Sequence, residues 1–339
     1  MIPRDPTISV VMPLRNEEAW LERAVSSVQA QTFPPRRVEI VLVVGRSEDR
    51  TPQIAQELAE HDSRIRIVDN PSGRTPTALN LGIRAARGDV IARVDGHGWL
   101  DPDYLANGVE ALGRTGAAGV GGVVQFVGVT RVGRAIALAE QSVIGSGGAA
   151  FRVATRETEA DGLRWGIFQR GLFDEVGLFD ETLERNQDDE FCYRVVAEGG
   201  RLVVTPSMRL YQVVRPSIPA LWRQYSQWGA FRVATLMKHG RPATFRQVAP
   251  PLLIALLALT WLADRSSHGR IRCGRAVTGT YVATVSVAGS TDAVRARQLD
   301  VVPFVPVAIA TMHLAYGSGF WLALAGRLRR RLNGVAGRA

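Results

Sequence analysis

Between residues 8 and 95 the chain alternates short aliphatic, β-branched runs with stretches whose apolar positions recur every three or four residues. The runs at 8–12, 38–44, 65–69 and 90–94 predict strands, and 19–31, 52–61 and 75–86 predict the helices between them. That is the βαβ order of an α/β domain with a mostly parallel sheet flanked by helices. Glu39-Ile-Val-Leu-Val-Val44 and Val90-Ile-Ala-Arg-Val94 are nearly continuous in apolar residues, as strands buried on both faces require. From about 116 to 206 the pattern mixes: a strand at 120–129, a short helix closing at 175–179, a helix at 188–199 and a last strand at 201–205.

Beyond a basic, aromatic stretch at 221–238 the chain turns apolar. Residues 250–263 are uncharged but short for a membrane span, which takes roughly 20 residues. Residues 301–325 are long enough and carry no acidic or basic residue except His313. Arg327-Leu-Arg-Arg-Arg331 follows, a basic stop that positive-inside logic keeps in the cytoplasm. The N-terminus lacks the basic segment and apolar core of a secretory signal, so the first domain is expected in the cytoplasm too. Two cytoplasmic ends require an even number of spans, two or four. The Thr- and Ser-containing run 276–290 would make three and stays open.

The expected organisation is therefore a catalytic domain at 1–215, an amphipathic interfacial helical region at 216–247, a membrane region with two or more apolar helices at 248–330 and a basic cytoplasmic tail at 331–339. In the interfacial region Trp222, Tyr225, Trp228 and Phe231 would face lipid and the arginines headgroups. The chain reads as a multi-pass protein of the cell membrane.

The formal charge of +9 bears on the choice of partner, because Lys238 is the only lysine and nearly all the positive charge is arginine. Arginine's planar fork suits phosphate and carboxylate. Zinc-finger spacing and an aromatic RNA-binding signature are missing, so the charge points to a diphosphate substrate and an anionic membrane rather than to nucleic acid. Cys192 and Cys273, far apart and without CxxC spacing, suggest neither a disulfide framework nor a metal cluster.

In a parallel sheet, ligands bind beyond the carboxyl ends of the strands. Those positions hold Pro13-Leu-Arg-Asn-Glu-Glu18, Gly45-Arg-Ser-Glu-Asp49 and Asp95-Gly-His97, with neither a dinucleotide fingerprint nor a P-loop among them. Asp95 and His97, two apart in a turn, can face one cation, or can simply end a strand. A departing nucleoside diphosphate needs its charge neutralised, and an imidazole ligand tilts the choice of ion towards Mn²⁺ over Mg²⁺. Asn186-Gln-Asp-Asp-Glu190 opens a helical pattern, where carboxylates suit the helix dipole. One of them could instead serve as the general base of a glycosyl transfer, with Asp188 the candidate.

Taken together, Val10-Val-Met-Pro-Leu-Arg-Asn-Glu-Glu18, Ser47-Glu-Asp-Arg-Thr51, Ala78-Leu-Asn-Leu-Gly-Ile-Arg-Ala-Ala-Arg-Gly-Asp89, Val94-Asp-Gly-His97 and Gln187-Asp-Asp-Glu190 resemble the family 2 inverting glycosyltransferases of the GT-A fold over about residues 7–240. Within that family the Asp-x-His and Asn-Gln-Asp-Asp-Glu variants resemble the succinoglycan-type exopolysaccharide glycosyltransferases. The resemblance implies a metal-dependent transfer of a hexose from a nucleoside-diphosphate sugar to a lipid-linked saccharide. It assigns Pro13, Arg15, Asn16, Glu17, Asp49, Asn80, Arg84 and Asp95 to the donor, Asp95 and His97 to Mn²⁺ or Mg²⁺, and Asp188 to the base. Asp189, Glu190 and Arg194 fall on the acceptor side, and Gln224 and Trp228 either join them or belong to the interfacial helix. A polyprenyl-diphosphate glycan is the implied acceptor, and polysaccharide-assembly proteins are implied partners.

The family's second strand ends in an aspartate that contacts the base; here Val44 stands there, so uridine is only the first choice of donor nucleoside. Gln227 replaces the arginine of the Gln-x-x-Arg-Trp box of processive synthases, and processivity is not inferred. A second reading, that of a catalytically silent membrane scaffold keeping the fold, draws on Val44 and is opposed by the joint presence of Asp95, His97 and Asp188.

Overall fold

The computed structural model describes residues 3–240, 242, 244–267 and 272–336. They form two compact units, one of Met1–Gln125 with Ala149–Val213, the other of Phe126–Gly148 with Val214–Ala339. Residues 126–148, expected within the catalytic domain, thus group with the C-terminal helices.

The first unit is built on a nine-stranded sheet: β1 Ile8–Leu14, β2 Val38–Gly45, β3 Ile65–Asn70, β4 Val90–Arg93, β5 Gly98–Leu100, β6 Gly119–Val127, β7 Thr158–Glu159, β8 Ile167–Gln169 and β9 Leu202–Val213. Their order is β3-β2-β1-β4-β8-β6-β9-β5, with β7 paired to β9. The β3-β2-β1-β4 half is parallel, as the alternating pattern predicts. The other half is antiparallel where its pairing is resolved, at β4–β8, β6–β8, β9–β5 and β9–β7, so the sheet is mixed. β1 is buried along its whole length, which explains why Ser9 is the one polar residue in it.

Counting helices of nine residues or more in chain order, α1 is Leu21–Gln29, α2 Thr51–His61, α3 Thr75–Ala85, α4 Tyr104–Thr115, α5 Arg131–Gln141, α6 Gln187–Ala197, α7 Ile218–His239, α8 Ala249–Ser266, α9 Cys273–Arg295 and α10 Phe304–Ala336. In α1 the buried residues are Leu21, Ala24, Val25 and Val28, the spacing of a single apolar stripe. Helix α3 lies so close to the sheet that a Cβ on Gly82 would sit 2.3 Å from Val11 Cγ1 and 2.9 Å from Val43 Cγ2. Beside it, Phe168, Phe173, Phe179 and Phe191 pack together, the Phe179 and Phe191 rings 4.8 Å apart.

Asp62, after α2, ties three elements together: it accepts from Gln29 of α1 at 2.8 Å and pairs with Arg64 at 2.7 Å. The Arg64 hydrogen bonds outweigh burial and hold its carboxyl down at about 2, against an ordinary 3.8. A depressed carboxylate adds stability that is complete above its unfolded pKa and is lost as pH falls through the folded one. Asp62→Asn should therefore lose about 1–2 kcal/mol in urea melts at neutral pH, with the difference from wild type shrinking between pH 4 and pH 2.

In the second unit, α5, α7, α9 and α10 share a core that includes Ile136, Leu221, Val285, Ile309 and Met312. Helices α7 and α10 meet at their backbones: a Cβ on Gly229 would lie 2.0 Å from the Tyr316 carbonyl, and one on Gly319 2.1 Å from that of Ser226. Glycine at both positions is what lets the two backbones approach so closely. Tyr225 does not face lipid: it is 7% exposed and shares the buried face of α7 with Leu221, Gly229 and Val233. An amphipathic pattern specifies which face is apolar, and here protein covers it. Trp222, on another face of the helix, is exposed.

Among the described residues one helix, over Phe304–Arg330 of α10, is long and apolar enough to cross a membrane, where two or four spans were expected. Helix α8 has 18 residues and carries Asp264 and Arg265 in its last turn, and α9 carries Asp292 and several hydroxyls. His313 is satisfied within the second unit: Nε2 donates to the Ile144 carbonyl at 3.0 Å and Nδ1 accepts from Tyr281 at 3.1 Å. Of the expected basic tail, 331–336 continue α10, and 337–339 lie outside the described residues.

Candidate active site

The carboxyl ends of β1, β2 and β4 converge as the sequence requires. The turn after β1 is locked to the turn after β2 and the start of α2 by hydrogen bonds of 2.7–3.1 Å. Asn16 N donates to Ser47 Oγ at 3.1 Å and Asn16 Oδ1 accepts from Glu48 N at 2.9 Å. Glu17 N donates to Thr51 Oγ1 at 2.7 Å and Glu18 N to Asp49 Oδ2 at 3.1 Å. Asn16 adopts φ +56°, a left-handed conformation that asparagine tolerates better than most side chains. Asp49 also accepts from Thr51 N and Oγ1, at 3.0 and 2.6 Å, so it organises this double turn. Pro13 lies within β1, Arg15 reaches the Gly73 carbonyl at 3.4 Å, and buried Val44 occupies the end of β2.

At the end of β4, Arg93 and Asp95 are each 7% exposed. Arg93 Nε and Nη2 donate to the two Asp95 oxygens at 3.0 and 3.3 Å, and Nη1 reaches Asp188 Oδ2 at 3.3 Å. Arg164 Nη1 meets the same Asp188 oxygen at 3.5 Å. Burial alone would raise the Asp95 pKa, but the guanidinium charges beside it, Arg93 first and Arg164 after it, prevail and hold it at about 2. A buried charge must be paired, and here one guanidinium pairs two carboxylates. Asp188 arrives on the first turn of α6, entered through Asn186 at φ +61°.

A second chain of contacts closes the cluster. Arg164 Nε lies 3.0 Å from Gln212 Oε1, Gln212 Nε2 3.1 Å from His97 Nε2, and His97 Nδ1 2.9 Å from Glu17 Oε1. Glu17, His97, Gln212, Arg164, Asp188, Arg93 and Asp95 thus form one continuous polar network. It unites four residues singled out in the sequence with three that were not.

Other candidates have protein partners. Asn80 Nδ2 donates to the Phe179 carbonyl and to Glu181 Oε1, each at 2.9 Å, and its Oδ1 accepts from Phe179 N at 2.9 Å. Glu190, wholly buried, pairs with Arg194 at 3.1 Å, and Arg194 also donates to the Leu178 carbonyl at 2.7 Å. These contacts hold the 176–181 segment against α3 and α6. Arg84 is exposed at the end of α3, and Asp189 flanks Asp188 on α6. Gln224 and Trp228 belong to α7 in the second unit, where Trp228 packs on Tyr225 at 4.7 Å.

Of the missed residues, Arg93 had a signal: a lone cation inside an apolar strand demands a buried counter-charge. Gln212 lay beyond the expected end of the last strand, because Pro206 reads as a strand terminator, yet β9 continues through it to Val213. Arg164 precedes Trp165, a buried residue at φ +47°, and no sequence pattern marks it.

The fit of a divalent ion can be judged from the donor set. His97 Nδ1–H donates to Glu17, a carboxylate partner of the kind that orients metal-binding histidines, and this leaves a lone pair on Nε2. Asp95 supplies carboxylate oxygens now held by Arg93. Among the described residues no group of three or more His, Cys, Asp or Glu could hold a metal by itself. Two protein ligands suit an ion that completes its shell with substrate phosphates.

Residues 9–168 match the glycosyl transferase family 2 profile. The succinoglycan biosynthesis protein ExoA of Rhizobium meliloti (strain 1021) is 30% identical over 329 residues, 95% of this chain and 96% of that one. A dolichyl N-acetyl-alpha-D-glucosaminyl phosphate 3-beta-D-2,3-diacetamido-2,3-dideoxy-beta-D-glucuronosyltransferase of Methanococcus voltae is 27% identical over 239 residues, 68% and 74% of the two chains. Among solved structures, the mannosyltransferase PcManGT of Pyrobaculum calidifontis, in complex with GDP-Man and Mn²⁺, superposes with a TM-score of 0.61 at 19% identity, covering 91% of this chain and 87% of that one. The shared fold is the GT-A arrangement that the sequence motifs imply. A full-length relative at this identity, a family match over β1 to β8 and a common fold agree, and the chain belongs to glycosyltransferase family 2.

Proposed function

We propose that this chain transfers a hexose, with inversion, from a nucleoside-diphosphate donor to a saccharide carried on a polyprenyl diphosphate, at the cytoplasmic face of the cell membrane. The observation that carries the reading is the single guanidinium of Arg93 between Asp95 and Asp188, which puts a donor-side and a base-side carboxylate in one rigid cluster.

Asp188 takes the proton of the acceptor hydroxyl as its oxygen attacks the anomeric carbon. The bond from that carbon to the diphosphate breaks, and the nucleoside diphosphate leaves. Both arginines engage Asp188 Oδ2, which leaves Oδ1 for the proton. Asp95 and His97 would hold the divalent ion together with the diphosphate oxygens. When bound, that ion neutralises the charge building on the leaving group. The double turn of Asn16, Glu17 and Asp49 shapes the wall for the nucleoside, and Val44 leaves the base without the usual acidic contact.

The second unit supports a membrane acceptor. Helix α10 has the length and composition of a span, and Leu252, Leu256, Leu259 and Leu262 of α8 are exposed. The ExoA relative, named for succinoglycan biosynthesis, favours exopolysaccharide assembly, in which polysaccharide-assembly proteins would be partners.

The test is calorimetric binding of UDP, GDP and dTDP to the detergent-solubilised protein with and without Mn²⁺. One nucleotide should bind in a Mn²⁺-dependent way and name the donor class. Failure of all three to bind would overturn the transferase reading in favour of a silent scaffold.

A further inference from the structure

The contacts around His97 can be read for the positions of protons as well as of heavy atoms. Arg164 Nε can only donate, so the Gln212 atom 3.0 Å away is its carbonyl oxygen. The Gln212 amide nitrogen is thereby turned to His97 Nε2, at 3.1 Å. An amide nitrogen only donates, so Nε2 carries the lone pair and the ring proton sits on Nδ1. Nδ1 in turn lies 2.9 Å from a Glu17 oxygen, which can only accept while ionised. The fixed donor character of Arg164 thus sets the polarity of the whole chain of hydrogen bonds from Gln212 to Glu17.

The fold holds Gln212 firmly in this role. Its residue is 5% exposed and lies directly opposite Gly98 in the β5–β9 ladder, while Val213 N bonds to the His97 carbonyl at 3.2 Å. Gly98 is what lets the strands close: a Cβ there would lie 2.1 Å from Trp165 Cη2 and 2.2 Å from the Tyr211 carbonyl.

We propose that Gln212 is a positioning residue that, oriented by Arg164, holds His97 in the Nδ1–H tautomer, keeps the lone pair on Nε2 and reserves that atom for a divalent cation by a hydrogen bond the cation can displace. The cation part of this inference rests on the transferase reading, and the tautomer part stands on hydrogen-bond chemistry alone. Glu17 by itself orients Nδ1, but an acceptor placed opposite Nε2 would compete for the proton. Gln212 is the side chain that puts a donor there instead.

Gln212→Glu and Gln212→Met separate this from simple packing. The glutamate offers only acceptors to Nε2 and draws a proton onto it, which removes the lone pair. The methionine fills similar space and neither donates nor accepts strongly, so Nε2 keeps its lone pair. Histidine-selective ¹⁵N NMR of the metal-free full chain, with His97→Ala assigning the signal among the five histidines, reads the ring directly. At about pH 8 wild type and Gln212→Met should show an unprotonated Nε2 and Gln212→Glu a protonated one.

Mn²⁺ titration in the presence of the nucleotide that wild type binds should show affinity kept within about threefold in Gln212→Met and lowered roughly tenfold or more in Gln212→Glu. A wild-type ring with its proton on Nε2 would overturn the proposal. So would equal Mn²⁺ affinity in wild type and Gln212→Glu, tighter binding by the glutamate variant, or a loss in Gln212→Met as large as in His97→Ala. Failure of wild type to bind Mn²⁺ with any nucleotide would instead overturn the transferase reading, whatever the spectrum shows.

Discussion

Asp188→Asn should lower turnover by about 10²–10⁴-fold while leaving nucleotide affinity within a few-fold of wild type. The geometry explains why the two effects separate. Arg93 and Arg164 both approach Asp188 Oδ2, and an asparagine oxygen at that position still accepts from them. The network reaching Asp95 and His97 is then kept, and only the ability to take a proton is lost. Neighbouring acids do not offer a substitute of equal standing. Glu190 is wholly buried and paired with Arg194, so its carboxylate braces α6 against the 176–178 segment. Asp189→Asn, the adjacent control, should cost much less than Asp188→Asn. The measurement is initial rate against donor concentration, with nucleotide binding measured in parallel. Turnover in Asp188→Asn within tenfold of wild type would remove Asp188 from the role of base.

The parallel half of the fold was legible because β1, β2 and β4 are buried almost throughout, and β1, β2 and β3 are each followed by a helix with an apolar stripe. Its apolar runs are therefore continuous and regularly spaced. The antiparallel half was not. β7 and β8 have two and three residues, too few to show a period, and Pro206 interrupts β9 without ending it. That cost Gln212, a residue of the network. Asp95, His97 and Glu17 stood out because they are polar side chains just beyond apolar runs, and Asp188 because it lies in a run of three carboxylates that opens a helix. The family resemblance also picked out Asn80, Glu190 and Arg194, whose polar groups are satisfied by backbone groups and neighbouring side chains around Phe179. Sequence shows that a polar residue is needed at such a position. Whether it serves a ligand or a buried segment is decided by what the fold brings beside it.

Arg93→Met should be the most damaging single change to stability, at about 3–5 kcal/mol, because it leaves two carboxylates facing an apolar side chain with their shared cation gone. Arg164 still reaches Asp188, but it makes no hydrogen bond to Asp95. In the native protein the Asp95 carboxyl stands at about 2, below its ordinary 3.8, so its ion pair stabilises fully above pH 3.8 and is lost as pH falls towards 2. Without Arg93, burial is left as the dominant influence on Asp95 and drives its pKa upward. The variant then carries its penalty at neutral pH and is relieved of it on acidification, when Asp95 takes up a proton. Urea melts of the solubilised proteins should accordingly show the gap widest near neutrality and closing towards pH 4. Arg93→Met with Asp95→Asn should recover much of the lost stability, since the uncompensated charge is gone, but no turnover, since the cluster that holds Asp188 is not rebuilt. Arg93→Lys should fall between, because one ammonium cannot present separate N–H groups to Asp95 and Asp188 in the geometry of the guanidinium fork. A loss below about 1 kcal/mol in Arg93→Met, the level of an exposed ion pair, would mean that the two carboxylates do not depend on this arginine.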